Sequence, residues 1–206
     1  MSDPSAFEIL RRVIHAASIR FAQSLTLFHP WDSKNGITEA NITLQLSLAF
    51  MNLHPETIAF VEVPFAPAPG ARNNNHLDLY LATPDIAFLI EAKCLWNPDQ
   101  VRAIESDIAR LSRELLSSIS KRHQNVLPRR CHGVVIADAW SSEIVKWWNS
   151  ESSKRNWSRE RFPATWQYGS QQVFKESEKH QLHWLFGMGP DLRCDFGERP
   201  SKTVEG

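Results

Sequence analysis

Three ionisable residues, Asp78, Glu91 and Lys93, stand in a stretch whose neighbours are almost all apolar. The stretch runs His76-Leu77-Asp78-Leu79-Tyr80-Leu81, then Ala82-Thr83-Pro84-Asp85, then Ile86-Ala87-Phe88-Leu89-Ile90-Glu91-Ala92-Lys93. Both arms read as β-strands, and Pro84-Asp85 supplies the turn signal between them. Burying a charge costs free energy unless it is paired or ligated. The placement therefore asks for a chemical reason.

A hairpin symmetric about Pro84-Asp85 sets Asp78 opposite Glu91 and His76 opposite Lys93. Side chains alternate between faces with period 2. Asp78, Glu91 and Lys93 then share one face with His76, which makes His76 a candidate substrate contact. Leu77, Leu79, Leu81, Phe88, Ile90 and Ala92 take the other. Opposed residues lie roughly 4.5–5.5 Å apart at Cβ, where like charges repel. Two carboxylates so placed call for a cation, and all-oxygen ligation suits Mg²⁺ or Mn²⁺. The neighbouring lysine can hold or polarise an anionic substrate. A bulge would shift the register by one and separate the set. The competing reading is a solvated hairpin face with an ordinary salt bridge from Lys93.

Asp78, twelve intervening residues and Glu91-Ala92-Lys93 together resemble the core of the PD-(D/E)XK nuclease superfamily, which includes many restriction and repair endonucleases. The resemblance implies that Asp78 and Glu91 bind a divalent metal, with the main-chain oxygen of Ala92 as a further ligand. It implies that Lys93 positions or activates the attacking water and offsets charge at the phosphate. Leu77 stands before Asp78 where the family pattern has proline, and the literal Pro84-Asp85 lies in the turn, too close to Glu91. Many members carry another metal-linked glutamate on the helix before the hairpin. Glu39 is that candidate, and an acid favouring its own helix N-terminus is the equal alternative. A second acid-x-Lys match, Asp32-Ser33-Lys34, falls in a polar Asn-Gly region and reads as a loop.

The elements that must position these residues follow from periodicity. Asp3-Pro4 starts a first helix that runs to about Leu27, with Phe7, Leu10, Val13, Ile14, Ala17 and Phe21 inward. Phe28 to Ile37 is a loop. Residues 38–53 fit either a strand or a helix. Thr38 as N-cap, the length and the family order favour the helix. Ile58 to Phe65 is a strand, and Pro67 to Asn75 a loop whose Arg72 is a candidate substrate contact. Asn97-Pro98 opens a long helix with Ile104, Ile108, Leu111, Leu115 and Ile119 on its apolar stripe. Its other charges, Arg102, Glu105, Arg110, Arg113 and Glu114, read as a solvated face. Gln100, near its start, is a candidate contact to phosphate or water. Cys131 to Ala139 is a buried strand, parallel to the hairpin because a crossover helix precedes it. Asp138 ends that strand and reads as a cap for the helix from Ser141.

The expected fold is α/β: a restriction-endonuclease-like α-β-β-β-α-β core over about residues 37–140, with a mixed central sheet flanked by helices. Residues 141–189 form an aromatic-rich C-terminal extension of the same domain, and 190–206 a disordered tail. In the extension, tryptophans alternate with Lys146, Lys154, Arg155, Arg159 and Arg161. Aromatic and basic residues together can stack bases and hold phosphates, which makes Lys154 and Arg155 substrate candidates. Trp147 and Trp148 read as packing. Gln181 to Gly187 reads as a final strand.

The 206 residues suit one domain. A formal net charge of zero argues against a strongly basic, non-specific nucleic-acid binder without excluding a local basic groove. Cys94, Cys131 and Cys194 form no CxxC pair, so neither a zinc site nor a disulfide framework is expected. A reducing cytoplasm, no signal peptide and no membrane span complete the expectation. The resemblance implies a Mg²⁺- or Mn²⁺-dependent nuclease acting on nucleic acid, with DNA foremost, and admits a homodimer. The alternative is a nuclease-fold module that binds without cutting.

Overall fold

The computed structural model describes residues 4–27, 38–65, 75–95, 99–112, 115–117, 119, 128–149, 162–177 and 181–193. The elements are α1 (Ala6–Leu27), α2 (Glu39–Leu53), β1 (Ile58–Phe65), β2 (Asn75–Ala82), β3 (Ile86–Cys94), α3 (Asp99–Arg110), β4 (Arg130–Ala139), α4 (Ser142–Trp148), β5 (Gln167–Lys175) and β6 (Gln181–Asp191). One mixed six-stranded sheet orders them β1-β2-β3-β4-β6-β5. The β3–β4 pair is parallel, as the crossover through α3 requires, and the other pairs are antiparallel.

Apolar side chains cover both faces of the sheet. Leu10, Ile14 and Phe21 of α1 and Ile42 and Phe50 of α2 pack on Leu79, Leu81, Phe88 and Ile90. Ile104 and Ile108 of α3 and Trp147 and Trp148 of α4 pack, on the other side, with Tyr80, Leu89 and Val135. Residues 39–53 are therefore helical, and the helix buries Ile42, Leu46, Ala49 and Phe50 against the sheet. Helix α1 begins at Ala6 rather than at Pro4. The Ser5 hydroxyl accepts the Glu8 N–H at 3.2 Å, and the Glu8 carboxylate accepts the Ser5 N–H at 3.0 Å. This reciprocal cap satisfies two donors that Pro4 could not.

Several expectations need correction. Leu77 packs with Val63 and Tyr80, not with Leu79 and Leu81. The break falls where β1 and β2 keep their register but leave Glu62 and Asp78 unpaired, between Val61↔Leu79 and Val63↔Leu77, and Glu62 there has φ 55°. The long helix is interrupted: α3 stops at Arg110, and Leu111-Ser112 forms a bend. Leu111 passes so close to β4 that a Cβ on Gly133 would lie 2.9 Å from the Leu111 Cβ. The strand β5 carries no clear alternation and was not foreseen. Strand β6 continues through Pro190 to Asp191, so the ordered chain passes the expected start of the tail. There the Asp191 carboxylate accepts the Cys131 N–H at 3.0 Å, and the Leu192 N–H donates to the Cys131 carbonyl at 2.8 Å. Asp32-Ser33-Lys34 and residues 194–206 lie outside the described residues.

Among the described aromatic residues after β4, Trp147, Trp148 and Phe162 are buried, and Trp166 and Tyr168 pack against them. Trp148 lies 5.5 Å from Phe162 and 5.8 Å from Tyr168, centroid to centroid. Its indole N–H donates to the Gly169 carbonyl at 2.9 Å, which satisfies the one polar atom of a fully buried ring. Trp147 and Trp148 thus pack, as expected.

Candidate active site

The hairpin forms as read. Thr83 N–H donates to the Ile86 carbonyl at 2.8 Å, leaving Pro84-Asp85 as the two-residue connection. The Thr83 hydroxyl accepts the Ile86 N–H at 3.2 Å and tightens the turn. The register is the expected one: Ala82↔Ala87, Leu81↔Phe88, Tyr80↔Leu89 and Leu79↔Ile90. The ladder ends at that last pair. One step further, Asp78 Oδ2 accepts the Ala92 N–H at 2.7 Å. A carboxylate thus takes the place of a strand carbonyl, and the strands part where Asp78 and Glu91 stand. His76 is paired with Pro64 of β1 instead of with Lys93, because the β2–β3 ladder has already ended.

Lys93 is the centre of the cluster. Its ammonium lies 3.4 Å from Asp107, 3.8 Å from Asp78 and 4.0 Å from Glu39, and it donates to the Ala92 carbonyl at 3.0 Å. Burial opposes the charged form, yet Asp107, Glu39, Asp78 and Glu91 together hold its pKa above the ordinary lysine value. Glu39 therefore reaches the hairpin acids from the first turn of α2, with its pKa raised by burial against the pull of Lys93.

Glu91 is wholly buried. Burial first, and then the nearby Asp78, push its carboxyl up to about 8, although Arg110 pulls the other way. Arg110 Nη2 lies 2.6 Å from Glu91 Oε2 and 3.0 Å from Asp107 Oδ1. The Glu91 contact is an ion pair without hydrogen-bond alignment, and both Glu91 oxygens lack a hydrogen-bond partner among the described residues. Asp107 is buried on α3, and burial raises its pKa against Lys93 and Arg110.

Sequence reasoning missed Asp107 and assigned Arg110 to a solvated face. The signal was present: Asp107 sits three residues after Ile104 and four before Leu111, within the apolar stripe of the helix. An acid on a buried stripe needs a cation, and the one opposite is Lys93.

Gln100 lies in the first turn of α3 and is half-buried. Arg72, Lys154 and Arg155 lie outside the described residues. Asp138 does not cap a helix; its side chain is buried in β4 directly beside Cys94 of β3. Burial raises its carboxyl to about 7, opposed by the adjacent Cys94 thiol. The cap of α4 falls at Ser141, whose hydroxyl makes no capping bond.

Four carboxylates (Glu39, Asp78, Glu91 and Asp107) meet two cations (Lys93 and Arg110). Fully ionised, the cluster is short of positive charge by two, the charge of one divalent ion. Among the described residues, no three His, Cys, Asp or Glu side chains converge as a ready ligand set. The donors that fit a hard cation are of another kind: the Asp78 and Glu91 carboxylates, including the unbonded Glu91 Oε1, and the Ala92 carbonyl. The donor chemistry suits Mg²⁺ or Mn²⁺, and without one the oxygens are held by Lys93, Arg110 and the Ala92 N–H.

No family model, curated protein or solved structure matches this chain. No described helix is long and apolar enough to cross a membrane.

Proposed function

We propose that this protein is a metal-dependent nuclease of the PD-(D/E)XK type, with a restriction-endonuclease-like fold, that hydrolyses phosphodiester bonds, with DNA as its foremost substrate. The observation that carries the reading is the placement of Lys93 among Asp78, Asp107 and Glu39 at the point where β2 and β3 part. With Glu91 and Asp107 buried and two more carboxylates than cations, the cluster is costly as mere structure, and useful as a site for a divalent ion and a phosphate.

Asp78, Glu91 and the Ala92 carbonyl would hold Mg²⁺ or Mn²⁺, which supplies a more acidic bound water and a clamp on the scissile phosphate. Asp78 is held in place by the Ala92 N–H, so its free oxygen is already oriented. Glu91 is fixed by strand and burial, with no solvent to compete for its oxygens. Lys93 would orient the nucleophile and offset negative charge growing on the phosphate. Asp107 and Glu39 keep that lysine protonated and aimed.

A second reading is favoured by one observation. Arg110 already faces Glu91 at 2.6 Å, so the site has a partial counter-charge of its own. That would suit a nuclease-fold module that binds a partner without cutting. The test is a cleavage assay on mixed DNA and RNA with Mg²⁺ or Mn²⁺. Cleavage by the wild type and none by Lys93→Ala is the expected result. No cleavage under any condition, with the chain folded, gives the ground to the binding module.

A further inference from the structure

We propose that Arg110 is the resident counter-ion of Glu91 and competes with the divalent ion for it, while Asp107 holds the guanidinium aside once the ion binds. This inference rests on the metal-site reading above.

The geometry gives each residue a distinct part. Glu91 is immobile: it lies in a central strand with none of its side chain exposed. Arg110 is not: its side chain is 35% exposed, at the last residue of α3. The backbone beneath it is fixed by the Leu111 bend against Gly133, so the long side chain is the part that can swing. One nitrogen, Nη2, serves both carboxylates, at 2.6 Å to Glu91 and 3.0 Å to Asp107. The fork does not close bidentately on Glu91, and Glu91 Oε1 is buried and without a hydrogen bond. Bidentate closure is what makes an arginine–carboxylate pair hard to displace.

A divalent ion on Glu91 would stand within a few ångströms of that guanidinium. Two positive centres at such range repel strongly where water is excluded. The guanidinium must leave Glu91, and Asp107 is already within reach as its second partner. Metal affinity is then the difference between two partners for one carboxylate, and the Asp107–Arg110 pair on α3 sets it.

The test is calorimetric titration of Mn²⁺ into the full chain, with the Mn²⁺ electron paramagnetic resonance signal as a second readout and circular dichroism to check folding. Arg110→Gln should bind Mn²⁺ about tenfold more tightly than the wild type, and Asp107→Asn about tenfold more weakly, within the usual range for a coupling of this kind. Arg110→Lys keeps the charge but loses the fork; it should fall between the wild type and Arg110→Gln. A folded Arg110→Gln that binds no more tightly overturns the inference while leaving a metal-binding wild type intact. Should Arg110→Gln fail to fold, Arg110→Lys no tighter and Asp107→Asn no weaker would overturn it equally. Binding by Arg110→Gln alone would support the competition and sink the wild type as a metal enzyme. Binding by neither removes both.

Discussion

Glu91 and Asp138 are two buried carboxylates at the same end of one sheet, on adjacent strands, and their surroundings differ in kind. Glu91 faces α3, where Arg110, Lys93 and Asp107 gather around it. Asp138 points to the opposite face, where its strand neighbours are Cys94 and Trp184 and, among the described residues, no cation is paired with it. Burial raises both, to about 8 and about 7. A buried acid beside a thiol, backbone N–H groups and another acid is tolerated as a neutral group. A buried acid ringed by cations and other acids is part of a charge balance, and such a balance can admit an added ion. Two carboxylates at the same depth thus sit in different settings, one among cations and other acids and one beside a thiol.

The largest expected effect belongs to the Glu91 face. Lys93→Ala or Asp78→Ala should lower cleavage by at least about 10²–10³-fold, the scale for losing one group that stabilises developing charge. Each variant should also lose some stability, because Asp78→Ala leaves the buried Ala92 N–H without its acceptor and Lys93→Ala leaves the buried Asp107 with Arg110 alone, so circular dichroism must show each one folded. A mutant that cuts at the wild-type rate would place the chemistry elsewhere.

The next effect is on stability against pH. An acid whose folded pKa is raised binds more protons folded than unfolded, so stability is full below the unfolded pKa and falls as pH rises to the folded one. For Glu91 that window runs from its ordinary value of 4.5 to about 8. The metal-free protein should therefore lose a few kcal/mol across it, and Glu91→Gln should flatten the loss. Mn²⁺ should restore the wild type at pH 8 by about 2.7 kcal/mol at a hundred times its dissociation constant, and should do nothing for Glu91→Gln. Denaturant unfolding at several pH values, with and without Mn²⁺, reads all of these.

How legible each acid was in the chain explains why they were sorted so unevenly. The hairpin, its turn and its register follow from a strict two-residue period and one Pro-Asp pair, so the sequence alone places Asp78, Glu91 and Lys93 on it. Local pattern could not show that Asp78 would bond across to Ala92, that Leu77 would change faces beside a left-handed Glu62, or that α3 would stop at Arg110. Those depend on strand twist and on the close approach of Leu111 to Gly133. Asp107 was readable as an acid on an apolar stripe; its partner was not, because Lys93 meets it across two elements. The strand β5 was hidden for a related reason: it is an edge strand with few buried residues, so it lacks the alternation that betrays a half-buried one.

The smallest effect tests the Asp138 face. Asp138→Asn removes the ionisable group and keeps a polar oxygen beside Cys94. Its window runs from the ordinary 3.8 to about 7, so the variant should match the wild type near pH 4 and be the more stable at pH 8. Mn²⁺ should stabilise Asp138→Asn as much as it does the wild type, and cleavage should persist. If Asp138→Asn instead lost its response to Mn²⁺ as Glu91→Gln is expected to, both acids would belong to one site reaching through the sheet end by way of Glu39, whose charge both carboxylates border through Asp78 and Cys94. The division between the two faces would then be drawn in the wrong place.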